Sequence, residues 1–341
     1  WLAVWGSTYL LWRWSRQQLI LLLGFAYFCY TALALSYLDV WFGLFIIAAL
    51  YFLQQRKLVL ALLAYAAAVY TKFPALIIGP FLAVYLLKSY GFRTSIKVAL
   101  PTIAFIFLAN LPFGLETFHA YKRVLGHQSL SSQALNLNWI FSRNIISSNG
   151  MWGDYSVRML WDGTYPHYYK WLSLSLFWSS IAAALAVMIK YPKSLELALA
   201  CAFIGYFSYF MLVIGSHENH LFLSCVLLMA LCCINFRQWI GVCFLICGVS
   251  SINIMLFYGL LGNNPQLFSG FTETHMAIQS GEYTDIFKQI IERISDEFGQ
   301  DILDFINSMV SRNPYELSPY PIDLHLAVAA FNLVIYGCCW I

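Results

Sequence analysis

Two histidines flank a glutamate and an asparagine in GSHENHLFLS, residues 215–224, directly between two long apolar runs. Ionisable groups are expensive in such a place. His217 and His220 stand three apart, a spacing that sets two imidazoles on neighbouring positions of one helical face. A zinc site needs at least one further ligand and HExxH is absent, so no metal is indicated. Imidazoles that donate hydrogen bonds to a phosphate, with Glu218 orienting them or fixing a cation, suit these residue types better. A purely structural polar turn is the plainer alternative.

Two more ionisable residues interrupt apolar sequence. Asp39, in LSYLDVWFG, must meet water, a cation or a substrate group. It serves either as a cap for the helix beginning at Val40 or as a general base or sugar-hydroxyl ligand. Lys72, in AVYTKFPAL, precedes Pro74, where a helix should break. There it binds phosphate as a point charge or snorkels to lipid headgroups.

Residues 131–166 mix aromatic rings with hydrogen-bonding and charged side chains. Trp139, Trp152, Asn136, Asn138 and Asp154 are the candidates for sugar or acceptor binding, by ring stacking and fixed polar groups. Arg143 and Arg158 are candidates to bind a phosphate group. For the aromatic rings alone an interfacial belt is the better explanation, but it accounts for little of the asparagine and arginine content.

These residues need elements to hold them. Of 341 residues, 61% are hydrophobic and 10% charged, and the apolar residues come in runs of bilayer length, so the expected fold is an all-α polytopic membrane protein. Spans are read near 1–12, 17–36, 40–53, 58–71, 74–88, 97–113, 170–189, 194–214, 220–235, 238–260 and 325–341. That makes ten or eleven transmembrane helices or half-helices, with a bend at Thr71-Lys72-Phe73-Pro74. Residues 1–260 would form the core with an outer loop at 114–169, and 325–341 a final, incomplete span. Residues 261–324 would be an extracytoplasmic region of amphipathic helices, on the spacing of Ile286, Ile290, Ile294, Phe298, Ile302, Phe305 and Met309.

If the spans alternate, the short basic connections (Arg13, Arg16, Arg56, Lys57, Lys88, Arg93, Lys97, Lys190, Lys193, Arg237) share one side, which is then cytoplasmic. Of 16 acidic residues, all except Glu196 fall on the other side or at its boundary. The chemistry would therefore face the extracytoplasmic space. All 9 cysteines lie in apolar runs and read as buried small hydrophobes. The net charge of +3 gives no reason to expect nucleic acid, and no Walker or dinucleotide fingerprint is present. The chain opens at Trp1 inside an apolar stretch and closes inside another, so it is expected to be part of a longer protein.

The ordered set YLDVWFGLFIIAALYFL, QQRK, LALLAYAAAVYTKFPALIIGPFL, ALNLNWIF, GSHENHLFLSCVLLMAL and INIMLFYGL resembles the GT-C superfamily of polytopic glycosyltransferases. The likeness is closest to bacterial proteins similar to the GPI-anchor mannosyltransferases. It implies transfer of one sugar, mannose first among the candidates, from a polyprenyl-phosphate donor to an extracytoplasmic glycolipid or glycan, with inversion and without a nucleotide sugar or other cofactor. It also implies that His217, Glu218 and His220 lie near the donor phosphate, that Lys72 matches the family's TK, and that Asp39 matches its acidic position. The family's catalytic acid in the first outer loop would lie upstream of residue 1. The main alternative is a transporter or flippase of lipid-linked glycans without transferase activity, and a third is an assembly subunit built on the same bundle.

Overall fold

A computed structural model describes residues 1–35, 38–114, 134–140, 167–191, 193–214, 216, 218–258 and 324–340. Among these residues every regular element is helical. Ten principal α-helices follow in order: α1 Leu2–Ser15, α2 Gln18–Leu35, α3 Leu38–Gln54, α4 Leu58–Thr71, α5 Gly79–Asn110, α6 His167–Lys190, α7 Leu195–Leu212, α8 Phe222–Ile234, α9 Phe236–Tyr258 and α10 Leu324–Cys338. Short 3₁₀ turns occupy Phe73–Ile78, Leu111–Phe113 and Glu218–Leu221.

Local sequence explains the joints. Arg16 closes α1 in the left-handed region (φ 59°), its N–H bonded to Trp12 O, and Arg56 does the same between α3 and α4 (φ 57°). Pro74 ends α4 as expected: Lys72 turns extended (φ −152°, ψ 114°) and the proline enters the 3₁₀ turn at its first positions. Ser194 caps α7, its hydroxyl accepting Leu197 N–H.

The segments expected at 74–88 and 97–113 form one helix broken at Gly91 (φ 76°, ψ 164°), a conformation glycine adopts without penalty. The chain turns back there, because the Tyr70 hydroxyl at the end of α4 reaches Ile106 O at 2.9 Å. A straight α5 would carry Ile106 far from Tyr70.

α7 and α8 form the centre. From Phe222 to Cys232 every residue of α8 is buried, as expected of a helix apolar all round. Phe222 meets Tyr27, Phe28 and Phe42, with ring centroids 5.7, 6.0 and 6.4 Å apart. Gly205 lets α7 approach α5 closely, since a Cβ there would lie 2.7 Å from Phe81. The periphery is apolar and exposed, as at Phe107 and Leu108 on α5 and Trp171 and Trp178 on α6.

Four helical stretches are long and apolar enough to cross a membrane: Phe73–Phe113, whose two legs meet at Gly91, Tyr168–Lys190, Leu195–Leu212 and Phe236–Ile254. Of the others α2 also has 18 residues and the rest are shorter, so the expected ten or eleven spans go beyond what helix length supports. A helix of 14 residues such as α4 rises about 21 Å, against a hydrocarbon core of ~30 Å.

The two ends of the bundle differ. At the basic end, Lys88 Nζ donates to the carbonyls of Met188, Ile189 and Tyr191 at 2.8, 2.9 and 2.7 Å, closing the C-terminus of α6 with a cation. Glu196 accepts from Trp239 Nε1 at 2.8 Å and Asn235 Nδ2 at 3.2 Å. The opposite end carries the candidate site. The amphipathic region predicted at 261–324 lies outside the described residues, apart from the backbone of Leu324.

Candidate functional site

α3 and α4 are consecutive and joined by a tight turn, so the start of α3 lies beside the end of α4. Asp39 sits in the first turn of α3, where the helix dipole favours an anion, and Lys72 caps the C-terminus of α4, where it favours a cation. Lys72 Nζ is hydrogen-bonded and ion-paired to Asp39 Oδ1. The pair is largely enclosed, with side chains 7% exposed for Asp39 and 20% for Lys72. The helix begins at Leu38, before Asp39, so this carboxylate is not the N-cap that the sequence left open.

α7 links this pair to the histidine turn. Tyr206, 1% exposed, lies within electrostatic reach of Asp39. One turn on, the Tyr209 ring packs on His220, centroids 5.2 Å apart and inclined at 41°. His220 is buried within the 3₁₀ turn Glu218–Leu221. Ser216 ties the approach to that turn back onto α7, its hydroxyl donating to Tyr209 O at 3.0 Å and Val213 O at 2.8 Å. Of Glu218 the backbone alone is described, and His217 lies outside the described residues.

Asn136, Asn138 and Trp139, expected to bind sugar or acceptor, are buried in the bundle. Asn136 Nδ2 donates to Phe210 O at 2.7 Å and Asn138 Nδ2 to Leu212 O at 3.1 Å, supplying carbonyls in the last turn of α7 with partners. Asn136 Oδ1 accepts Trp139 N–H at 3.0 Å. The backbone of Leu135 is held on both sides, its N–H by Asn253 Oδ1 at 3.0 Å and its carbonyl by Asn332 Nδ2 at 2.7 Å. Residues 134–140 thus form a buried insert among α7, α9 and α10, irregular over 134–136 and helical over 137–140. Irregular backbone survives between apolar helices only when buried and paired in this way. The amides of Asn136 and Asn138 serve the chain itself in this arrangement.

The structure therefore brings Asp39 and Lys72 together and joins them through α7 to His220 and to the 134–140 insert. Arg143, Trp152, Asp154 and Arg158 lie outside the described residues. Sequence reasoning missed Tyr206, Tyr209, Asn253 and Asn332. The two asparagines had a readable signal, a polar amide inside an apolar run, whereas a tyrosine in an aromatic-rich chain has none. Among the described residues no group of three or more His, Cys, Asp or Glu side chains is arranged to hold a metal ion. No protein-family model, curated protein or solved structure matches the chain.

Proposed function

We propose that the chain is a multi-pass membrane glycosyltransferase. It transfers a single sugar, mannose first among the candidates, from a polyprenyl-phosphate donor to an extracytoplasmic glycolipid or glycan, with inversion. The enclosed Asp39–Lys72 pair carries this reading. It lies at the end of the bundle away from the basic residues, which the positive-inside rule assigns to the cytoplasm. A buried pair of opposite charges is costly to maintain and marks a working site more often than a stabilising one.

In the proposed reaction the acceptor oxygen attacks the anomeric carbon and the bond from that carbon to the phosphate oxygen breaks, its electron pair leaving with the phosphate. The acceptor's proton passes to a carboxylate, and Asp39 is the candidate in this chain. Protonation of Asp39 removes the charge that holds Lys72. The ammonium is then free to face a phosphate that has just gained negative charge. His220 adds a hydrogen-bond donor. Purified protein should release polyprenyl phosphate from polyprenyl-phosphate-mannose only when acceptor is present, and Asp39→Asn should abolish the release. Acceptor-independent release would overturn the reading, and full activity in Asp39→Asn would remove Asp39 as the base.

One observation favours transport of a lipid-linked glycan instead: the helix interrupted at Lys72 and resumed at Gly79, since broken helices line transporter sites. Single-cysteine labelling at Leu76, 44% exposed in that turn, decides between the two. Modification from both sides of the membrane supports transport, and modification from one side supports the transferase.

A further inference from the structure

The break at Lys72 and the reversal at Gly91 leave an apolar groove of about 670 Å³ between α4 and the two legs of α5. At one end it is lined by Tyr70 and Phe73, the residues bracketing Lys72 in sequence, and at the other by Leu87 and Ser95, beside the Gly91 turn. The width of the Lys72 end is set by a polar clasp: Asn110 Nδ2 donates to the Tyr70 hydroxyl and, at 2.7 Å, to Ile106 O, which also accepts from Tyr70. On the second leg of α5 Leu100, Phe105, Phe107 and Leu108 are exposed, so this leg is a thin outer wall, open to lipid. Thr102 Oγ1 is buried on the groove wall with no hydrogen-bond partner among the described residues. The π electrons of an unsaturated chain would give it a weak acceptor that a saturated chain lacks.

We infer that this groove holds the first isoprene units of the donor and measures them. The inference rests on the transferase reading above. Along the second leg the lining runs from Ile106 to Ser95, about 17 Å at the helical rise. With carbon–carbon bonds near 1.5 Å, an extended isoprene unit of four main-chain carbons covers roughly 5 Å. The groove therefore takes three to four units behind a phosphate at Lys72, and the rest of a longer chain lies in the bilayer. The surrounding lipid is as apolar as the groove, so the gain per unit comes from packing against fixed walls and amounts to about threefold in affinity. Beyond the Gly91 turn further units gain nothing.

The test is competition by geranyl, farnesyl, geranylgeranyl and undecaprenyl phosphates against a photoactivatable prenyl phosphate. The full-length protein is used in phosphatidylcholine nanodiscs at matched ligand mole fraction. Affinity should rise up to geranylgeranyl phosphate and then level. Ala99, on the groove wall, lies about 10 Å from Ile106 along the helix, so Ala99→Phe should move the plateau down to geranyl phosphate. Leu108→Phe, on the exposed face outside the groove, should leave the series unchanged. Equal affinity at every length, or an Ala99→Phe series identical to wild type, would overturn the ruler and leave the groove to bulk acyl chains, with the transferase reading intact. Failure of every prenyl phosphate to compete would overturn both.

Discussion

Asp39 and Lys72 make each other tolerable. Neither charge would rest in an apolar bundle alone, and each also meets the favourable end of a helix dipole. Removing one partner should cost about 3–5 kcal/mol, because the other charge loses its ion pair while still enclosed. Asp39→Asn and Lys72→Met should therefore each lower the thermal midpoint, and the double variant should recover most of it while remaining inactive. A double variant no more stable than the singles would show that the pair is not the source of the cost. Transfer activity of Lys72→Met should fall about a hundredfold, the loss typical of one donor to a developing anion. His220 separates packing from chemistry. His220→Phe keeps a ring against Tyr209 but removes a buried polar group that has a further interaction, so it should cost about 1–3 kcal/mol, while transfer by the folded protein drops about a hundredfold. Unchanged transfer in His220→Phe would make the turn structural.

At the level of elements, the insert 134–140 depends on asparagines from three parts of the chain. Asn253→Leu and Asn332→Leu should each cost about 1–3 kcal/mol by leaving a buried backbone group of Leu135 unpaired. Thermal unfolding in detergent reads the loss, and near-neutral variants would mean that the insert finds other partners. The helices meet where glycine permits. Gly205→Ala places a Cβ 2.7 Å from the Phe81 ring and 3.0 Å from Ile181, so it should cost about 1–3 kcal/mol through overpacking. At Gly91 an added Cβ meets nothing, and Gly91→Ala should destabilise only through a backbone conformation (φ 76°, ψ 164°) essentially confined to glycine, by about 1–3 kcal/mol. A near-neutral Gly205→Ala would show that the close approach of α7 to α5 is not what Gly205 provides.

For the whole molecule, the asymmetry between ends is the feature to test. If the basic end faces the cytoplasm, a cysteine in place of Gln55, in the exposed α3–α4 turn, should be labelled only from that side. A cysteine in place of Phe113, 65% exposed at the other end, should be labelled only from outside. The parent for both must lack the exposed native Cys338. Labels on the reversed sides would invert the orientation and move the site to the cytoplasm.

Sequence by itself determined what local chemistry controls. Apolar runs with few charges dictate helices, and the observed helices fall within a few residues of the expected spans. Pro74 dictates the break after Lys72, and basic clustering dictates two unlike ends. The candidates Asp39, Lys72 and His220 were legible because an ionisable group among apolar residues is costly and therefore conspicuous. Tertiary structure alone decided the pairing. Thirty-three residues separate Lys72 from Asp39, and only the antiparallel packing of α3 on α4 turns two isolated charges into one neutralised pair. It also decided that Asn136 and Asn138 face the end of α7, because an amide's partner is set by which orphan carbonyls packing brings within reach. The groove beside Lys72 has the same origin. Gly91 marks where the helix can break, but the direction in which α5 folds back is fixed by the clasp of Tyr70 and Asn110, a contact that no local pattern encodes.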